Sequence, residues 1–190
     1  MNRHPYVGTV LLALRRIPQH ERAFAQGSHG EQRVGDALDR RTAKSGTLIL
    51  HDRRMPGGYG NVDHLAVAPA GVYVIDTKAV NGKVRVSRPL FGEPKLLVAG
   101  RDRLKLVDGL DRQVAAVQGA LDAIGRSDVP VTGVLCFTKA DLPLIGGSQI
   151  RGHRLHYTHA LARRLNRRGP LAKDQIDVLA RELGTAFPRA

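Results

Sequence analysis

The chain has 190 residues, which is enough for one domain, or for one domain with an arm. Apolar residues make up 42% of it, so a wholly disordered chain is excluded, and the single cysteine excludes an internal disulfide and a multi-cysteine zinc site. The 30 Lys and Arg residues exceed the 17 Asp and Glu residues by 13, an Arg-rich excess that is typical of polyanion binding, but also of a merely soluble surface.

The first part of the chain is predicted to be an arm, residues 1–27, followed by one domain over residues 28–190. Ser28 and Glu31 stand three residues apart, which is the spacing of a capping box. Apolar residues then recur at helical spacing. We therefore expect the first helix of the domain to begin at Ser28 and to run to about Lys44.

Three strands are predicted next, and after them the chain alternates between helices and further strands. The predicted strands are 47–51, 61–68, 72–78, 83–86, 95–98, 131–137 and 155–157, and the predicted helices are 108–125, 158–168 and 173–183. A loop is expected over 53–60 and a tight turn at Asn81-Gly82. This order predicts an α/β or α+β fold in which helices flank a mixed sheet, with a core over 28–137 and a helical extension over 155–190.

Charged side chains interrupt two apolar strands of this predicted sheet. Because side chains alternate along a strand, Asp76 and Lys78 project from the same, otherwise apolar face of the third strand. If Pro69 and Ala70 are the two central residues of the preceding hairpin, Asp63 on the second strand stands opposite Asp76. Two carboxylates and an ammonium group would then lie side by side.

Two carboxylates that face each other near an apolar core are destabilising unless their charge is balanced. Mg²⁺ suits such a pair, because one or two carboxylates hold it together with waters and phosphate oxygens, and a lysine beside it can orient a water. The pattern therefore favours metal-assisted hydrolysis of a phosphodiester. Two alternatives stay open: a three-residue loop ending at Gly71 places His64 opposite Asp76, and an Asp-x-Lys pair is also common as a surface salt bridge.

Longer stretches around these residues resemble the nuclease-related domain family, which lies within the PD-(D/E)xK, restriction-endonuclease-like superfamily. The resemblance is carried by residues 25–38, 61–78 and 82–84 and by Gln113, within a segment of about 27–137. Two positions depart from the superfamily pattern: Val62 stands where the name has Pro, and Asp76 stands where Glu is more common. The resemblance implies an αβββαβ core and cleavage of DNA that depends on a divalent metal, Mg²⁺ or Mn²⁺.

The resemblance also implies a role for each of five polar residues. Asp63 and Asp76 would be metal ligands, and Glu31 would complete the metal shell or hold a metal-bound water. Lys78 would be the catalytic lysine, and Gln113 the polar helix residue near the scissile phosphate.

The predicted contacts to DNA phosphates, in double- or single-stranded DNA, are six arginines: Arg53, Arg54, Arg163, Arg164, Arg167 and Arg168. The first two lie in the predicted loop, and the other four form two i,i+4 pairs on a predicted helix, where like charges repel unless phosphates lie there. Cations that favour the helix dipole are the alternative explanation. His153, His156 and His159 recur nearby, but without a Cys or acidic residue at ligand spacing they favour a basic surface over a zinc site.

The apolar stretch from Val7 to Leu14 is too short to span a bilayer, and no convincing signal cleavage site accompanies it. Val7 to Ile17 is instead predicted as an amphipathic helix within the arm. Cys136 lies in an apolar run and is expected to be a buried, inert thiol. We therefore expect a cytoplasmic protein without a membrane partner.

The leading hypothesis is a Mg²⁺- or Mn²⁺-dependent DNA endonuclease. A homodimer is a further expectation, because two symmetric sites often cut the two strands of a duplex. The alternative is a non-catalytic DNA-binding or assembly module that retains the fold, and a nuclease acting on RNA is a third hypothesis. A metal-dependent product separates the first hypothesis from the second.

Overall fold

Four helices and eight strands make up the part of the chain that the structure describes. The structure is a computed structural model that describes residues 19–58, 60–142 and 149–190, with side chains from residue 29 onward. The helices are α1 (Gln19–Thr42), α2 (Leu104–Ala123), α3 (Thr158–Leu165) and α4 (Lys173–Ala186), and a short 3-10 turn covers Pro56–Gly58. The strands are β1 (Leu48–Arg54), β2 (Asn61–Ala68), β3 (Gly71–Ser87), β4 (Lys95–Val98), β5 (Arg101–Asp102), β6 (Val131–Asp141), β7 (Gln149–Ile150) and β8 (His153–Tyr157).

The strands form one mixed sheet with the order β1-β2-β3-β6-β8-β7. Strands β1, β2 and β3 are antiparallel neighbours, β3, β6 and β8 run parallel, and β7 pairs antiparallel with β8. The small strands β4 and β5 extend from the far part of β3. Apart from this β4–β5 insertion, the order from α1 to β6 is the predicted αβββαβ, and the prediction of a mixed sheet flanked by helices is confirmed.

Helices cover both faces of the sheet, and the alternation of β3 divides the core between them. Val72 and Val74 belong to the larger apolar cluster, which includes residues of α2 and α4. Tyr73 and Ile75 belong to a second cluster, which includes residues of α1 and α3. Each fully buried Val or Leu stabilises the fold by about 1.5–3 kcal/mol, so both layers hold the central strands in place.

The start of α1 corrects the prediction of a capping box at Ser28. The helix begins at Gln19 and continues through Ser28, because residues 19–27 contain strong helix formers and no proline, and an isolated glycine is tolerated within a helix. The predicted arm helix, Val7 to Ile17, lies outside the described residues. None of the helices in the described ranges has the length and apolar character needed to cross a membrane.

The predicted turn at Asn81-Gly82 is also wrong, because β3 continues through it. The pairing of β3 with β6 shifts register between Lys78 and Asn81, so the irregularity bends one long strand rather than reversing it. Gly82 has a φ of 96°, and a Cβ at this position would lie 2.8 Å from the Cβ of Ala99. Gly82 therefore allows a bulge in β3 and the close approach of Ala99. In the sequence, a glycine in this role cannot be told from a glycine in a turn.

Candidate active site

The hairpin between β2 and β3 has the predicted two-residue connection. Its ladder pairs Ala68 with Gly71 and continues to His64 opposite Ile75. Pro69 and Ala70 are therefore the central residues, and the alternative three-residue loop, which places His64 opposite Asp76, is wrong. The next pair in this register joins Asp63 and Asp76.

Two hydrogen bonds hold the charged groups at this end of the hairpin. Asp63 Oδ2 accepts the backbone N–H of Thr77 at 2.7 Å, and Lys78 Nζ donates to Asp76 Oδ1 at 2.8 Å. Asp76 is buried, with 7% of its surface exposed, while the Lys78 side chain is 24% exposed. Strand alternation therefore brings the acid and the lysine together, as predicted from their i,i+2 spacing.

Burial disfavours the ionised form of the carboxylates in this cluster. Burial raises the pKa of Asp63 to about 7, and the nearby Asp76 carboxylate adds to this rise. Burial also raises the pKa of Asp76, although Lys78 opposes the shift, and burial raises the pKa of Glu31 in the same direction. The site thus favours either bound protons or an added cation.

Glu31 reaches this cluster because α1 packs closely against the strands. A Cβ on Gly30 would lie 3.2 Å from the Cβ of Ala79, and one on Gly35 would lie 3.2 Å from the imidazole rings of His51 and His64. The two glycines therefore allow the helix to lie directly on the sheet. Between α1 and the β1–β2 edge is a cavity of about 350 Å³, called the acidic cavity here, lined by Glu31, Gln32, Gly35, Asp36, His51, Asp52, Asp63, His64 and Arg189.

Gln113 lies on α2 and contacts the backbone at the start of β2. Its Nε2 donates to the carbonyl oxygen of Asn61 at 3.0 Å, and its Oε1 is buried with no hydrogen-bond partner within the described ranges. The contact is two residues before Asp63 along the strand. The structure therefore connects Gln113 to the strand that carries Asp63, through the backbone rather than through a carboxylate.

The donor chemistry of this cluster fits a hard divalent cation. In the described ranges, no three His, Cys, Asp or Glu side chains are gathered closely enough to form a complete metal-binding group. Mg²⁺ and similar ions, however, are commonly held by one or two carboxylates, with waters and phosphate oxygens as the other ligands. The neighbouring carboxylates of half-buried Asp63 and buried Asp76 match that requirement, and a bound cation would offset the burial that raises both pKa values.

A histidine pair beside the acidic cavity was missed by sequence reasoning. The Nδ1 atoms of His51 and His64 share a hydrogen bond of 2.9 Å, and His51 Nε2 lies 3.0 Å from Asp39 Oδ2. Burial and the neighbouring His51 lower the pKa of His64 to about 3, so its imidazole is neutral at physiological pH. The pairing of β1 with β2 sets His51 opposite His64. The sequence alone does not give this register, so the pair could not be found from it.

On the other side of α1 is a groove with the opposite charge. It has a volume of about 580 Å³ and lies between α1 and the ends of β6 and β8, and we call it the basic groove. Its lining includes five cationic or imidazole side chains: His29, Arg33, Arg41, Lys139 and His159. Phe137 and Tyr157 line this groove, and both are in register with Lys78 across the parallel strands β3, β6 and β8, so the groove lies at the level of Lys78 along the sheet.

The structure corrects the surroundings of Arg53 and Arg54. Both belong to β1 rather than to a loop, and the backbone N–H of Arg54 donates to the carbonyl of Pro188 at 2.8 Å. Arg53 Nη1 lies 3.5 Å from the carbonyl oxygen of Phe187. Antiparallel contact with the last residues of the chain explains why β1 extends to Arg54. The Arg53 side chain contacts the same segment through the Phe187 carbonyl.

The four later arginines do not all lie on one helix, because α3 ends at Leu165 rather than at residue 168. Arg167 and Arg168 follow the helix, so the predicted i,i+4 pairs on a continuous helix are wrong. Arg163, Arg164 and Arg167 nevertheless line one small cavity with His156. The other two histidines point elsewhere: His153 is buried beside Asp111, and His159 is exposed in the basic groove.

Cys136 is fully buried, as predicted, and burial raises the pKa of its thiol to about 11. A thiol in that state is a poor nucleophile at physiological pH. Cys136 is therefore not a candidate nucleophile, and the candidate reactive groups are the carboxylates and Lys78.

A family model described as a nuclease-related domain matches residues 26–138, which is more than half of the chain. No curated protein and no solved structure matches the chain. The matched segment runs from α1 into β6, and it contains the five residues predicted to act in catalysis: Glu31, Asp63, Asp76, Lys78 and Gln113.

Proposed function

Because this chain belongs to the nuclease-related domain family, we propose that it hydrolyses phosphodiester bonds of DNA with the help of a divalent cation. The observation that carries the proposal is the pair of neighbouring carboxylates, half-buried Asp63 and buried Asp76, with the ammonium group of Lys78 2.8 Å from Asp76 Oδ1. A like-charged pair costs stability in the absence of a ligand. A cation bound by the carboxylates, together with a phosphate in the neighbouring basic groove, would offset this cost.

Asp63 and Asp76 would hold Mg²⁺ or Mn²⁺, with Glu31 on α1 completing the shell directly or through water. When bound, such an ion supplies a water of lowered pKa and neutralises charge on the phosphate. The chain's own residues prepare this position before any ligand arrives. Thr77 fixes Asp63 through a backbone N–H, and β3 fixes the distance between Asp76 and Lys78.

Lys78 is proposed to act on the phosphate and on the attacking water. Its ammonium group is a hydrogen-bond donor and a positive charge, and the Asp76 carboxylate holds it in place. It would orient the water or stabilise charge that develops on the phosphate oxygens. Gln113 would keep the start of β2, two residues before Asp63, against α2.

The basic groove is proposed to hold the phosphate backbone of the DNA strand. Arg33, Arg41 and Lys139 are exposed in it, and all three are provided by elements that also support the carboxylates or neighbour them in the sheet. Contacts of this kind position nucleic acid without reading its sequence. The six arginines predicted earlier would extend the same positive surface, and dimerisation would allow both strands to be cut.

The test is cleavage of supercoiled plasmid by the purified chain with Mg²⁺, with Mn²⁺ or with EDTA. We expect nicked or linear product with either metal and none with EDTA, and loss of product in Lys78→Met. Lys173→Met, which removes an exposed lysine on α4, is the matched control and should cut like the parent. Equal cutting by Lys78→Met and the parent would overturn the proposed role of Lys78.

The second candidate is a DNA-binding or assembly module without catalysis. It is favoured by the ion pair between Lys78 and Asp76, which partly balances the site without a metal, and by the lack of a complete three-residue metal group in the described ranges. This candidate predicts salt-sensitive DNA binding and no metal-dependent product. The same assay on structured RNA tests whether RNA is the substrate.

A further inference from the structure

A second site for a charged ligand lies on α3, away from the carboxylates. A cavity of about 370 Å³ is lined there by His156, Ala160, Arg163, Arg164 and Arg167, and we call it the α3 pocket. All of these residues follow residue 138 and so lie outside the segment that matches the nuclease-related domain. The match to the family therefore does not account for this pocket.

Positive charge in the α3 pocket has no counter-charge from the described part of the protein. In the described ranges, no carboxylate lies within 4.0 Å of the guanidinium groups of Arg163, Arg164 or Arg167. Three guanidinium groups around one cavity repel each other, and this repulsion is relieved by an anion. The arrangement contrasts with Arg151, which contacts three carboxylates.

Two polar atoms of the pocket residues are buried and have no hydrogen-bond partner among the residues that the structure describes. They are Arg164 Nε and His156 Nε2. Arg164 Nε is a donor, and His156 Nε2 donates or accepts according to the ring tautomer. A buried polar group without a partner costs about 1–3 kcal/mol, so such groups normally mark a missing ligand, ion or water. Two of them at one cationic cavity indicate a ligand with several acceptor oxygens.

The pocket is also partly organised before a ligand binds. The guanidinium carbon of Arg164 lies 5.9 Å from the centre of the Tyr73 ring, a cation–π contact that restricts where the side chain can go. His156 is on β8 opposite Cys136, and Cys136 is opposite Thr77 on β3. The pocket is thus two strands, roughly 10 Å, across the sheet from the strand that carries Asp76.

We propose that the α3 pocket binds a phosphate monoester group, with the oxygens held by Arg163, Arg164 and Arg167 and by the His156 ring. A dianionic phosphate has enough acceptor oxygens for several guanidinium donors at once. The group has two possible sources: free phosphate or a small phosphorylated molecule, and the terminal phosphate of a nucleic-acid strand. The second source rests on the proposed nucleic-acid substrate, and the first does not.

The experiment is a titration of the full chain with inorganic phosphate, at constant ionic strength and with EDTA present, followed by calorimetry and by NMR of the histidine ring signals. We expect saturable binding that moves the His156 signals. Arg164→Gln should weaken it about tenfold, as for the loss of one charge-assisted hydrogen bond. Arg181→Gln, an exposed arginine on α4, is the control and should bind like the parent.

Arg164→Gln also removes the contact between Arg164 and Tyr73, so a second variant is needed to separate a loss of binding from a folding defect. Arg163→Gln with Arg167→Gln changes two exposed side chains, and Lys173→Gln with Arg181→Gln is its control of equal charge. The first pair should lose binding and the second should keep it. The proposal is overturned if phosphate does not bind saturably, or if both pairs weaken binding equally.

A short oligonucleotide with a 5′-phosphate, compared with the same oligonucleotide ending in a hydroxyl, identifies the source. Tighter binding of the phosphorylated strand, lost in Arg164→Gln, assigns the pocket to a strand end. Equal binding of the two strands, with inorganic phosphate still bound, assigns it to a free phosphorylated ligand. Because EDTA prevents metal-dependent cleavage, a failure of the nuclease proposal would leave these results unchanged.

Discussion

The two sides of helix α1 carry opposite charge, although they share one stretch of sequence. On one side Glu31, Gly35 and Asp36 line the acidic cavity, and on the other side Arg33 and Arg41 line the basic groove. Helical periodicity is what sorts these alternating charges onto separate faces. In the proposed function, one face of this helix would be turned to a cation and the other to a phosphate backbone.

The acidic side is the side on which the protein carries an electrostatic cost. The carboxylates of half-buried Asp63 and buried Asp76 lie close together there, whereas Arg33, Arg41 and Lys139 are exposed to solvent. Exposed like charges cost little because water screens them. We therefore expect changes on the acidic side to affect chemistry and stability, and changes on the basic side to affect affinity.

The largest expected effect is on cleavage, from Asp76→Asn. The amide removes the charge and one oxygen ligand while keeping the shape, so we expect cleavage to fall by about 10³-fold or more. DNA affinity should change by less than about twofold, because the basic groove is intact. Plasmid cleavage and fluorescence anisotropy measure the two quantities, and Asp177→Asn, exposed on α4, is the control. A variant that still cuts would remove Asp76 from the mechanism.

The next effect is on affinity, from Arg33→Glu combined with Lys139→Glu. Reversing two phosphate contacts should weaken DNA binding by about 10–100-fold and flatten its dependence on salt. The pair Lys173→Glu with Arg181→Glu changes the net charge equally on α4 and should have a much smaller effect. If both pairs weaken binding alike, net charge rather than the groove attracts the DNA.

A third effect concerns the pH dependence of stability without metal. The pKa of Asp63 is raised to about 7 in the folded chain, so its contribution to stability is full below its ordinary value and is lost as the pH rises through 7. Asp63→Asn should therefore stabilise the metal-free protein by about 1–3 kcal/mol at pH 8 and by almost nothing at pH 4. Thermal unfolding at both pH values measures this difference, and an equal effect at both would contradict the assignment.

The smallest expected effect tests how closely α1 lies on the sheet. Gly35→Ala adds a Cβ that meets the His51 and His64 rings at 3.2 Å, whereas Gly119→Ala, on α2, meets no atom within 4 Å. The control should gain stability by about 0.5–1 kcal/mol from helix propensity. Gly35→Ala should be about 1 kcal/mol less stable than the control in chemical unfolding. Equal stabilities would show that the helix has room to move away.

Much of the carboxylate cluster could be predicted from the sequence because it depends on local rules. Strand alternation placed Asp76 beside Lys78, and a two-residue hairpin placed Asp63 opposite Asp76. The order of helices and strands likewise follows from periodicity and turn residues. The bulge at Gly82 was misread because a glycine with positive φ has the same signature in a bulge as in a turn.

The basic groove and the α3 pocket could not be predicted in the same way. Arg33, Lys139 and His159 are contributed by α1, β6 and α3, and only the parallel pairing of β3, β6 and β8 brings these elements to one edge. Sites assembled from distant elements need the topology, whereas sites on one hairpin need only its register.

The most direct test of the account is calorimetric titration of Mn²⁺ into the parent chain and into Asp63→Asn, at pH 8, with and without a DNA strand. We expect the parent to bind Mn²⁺ saturably and more tightly with DNA, and we expect Asp63→Asn to lose this binding. No ion uptake by the parent even with DNA, or equal uptake by the variant, would contradict the claim that these carboxylates hold a cation against a phosphate.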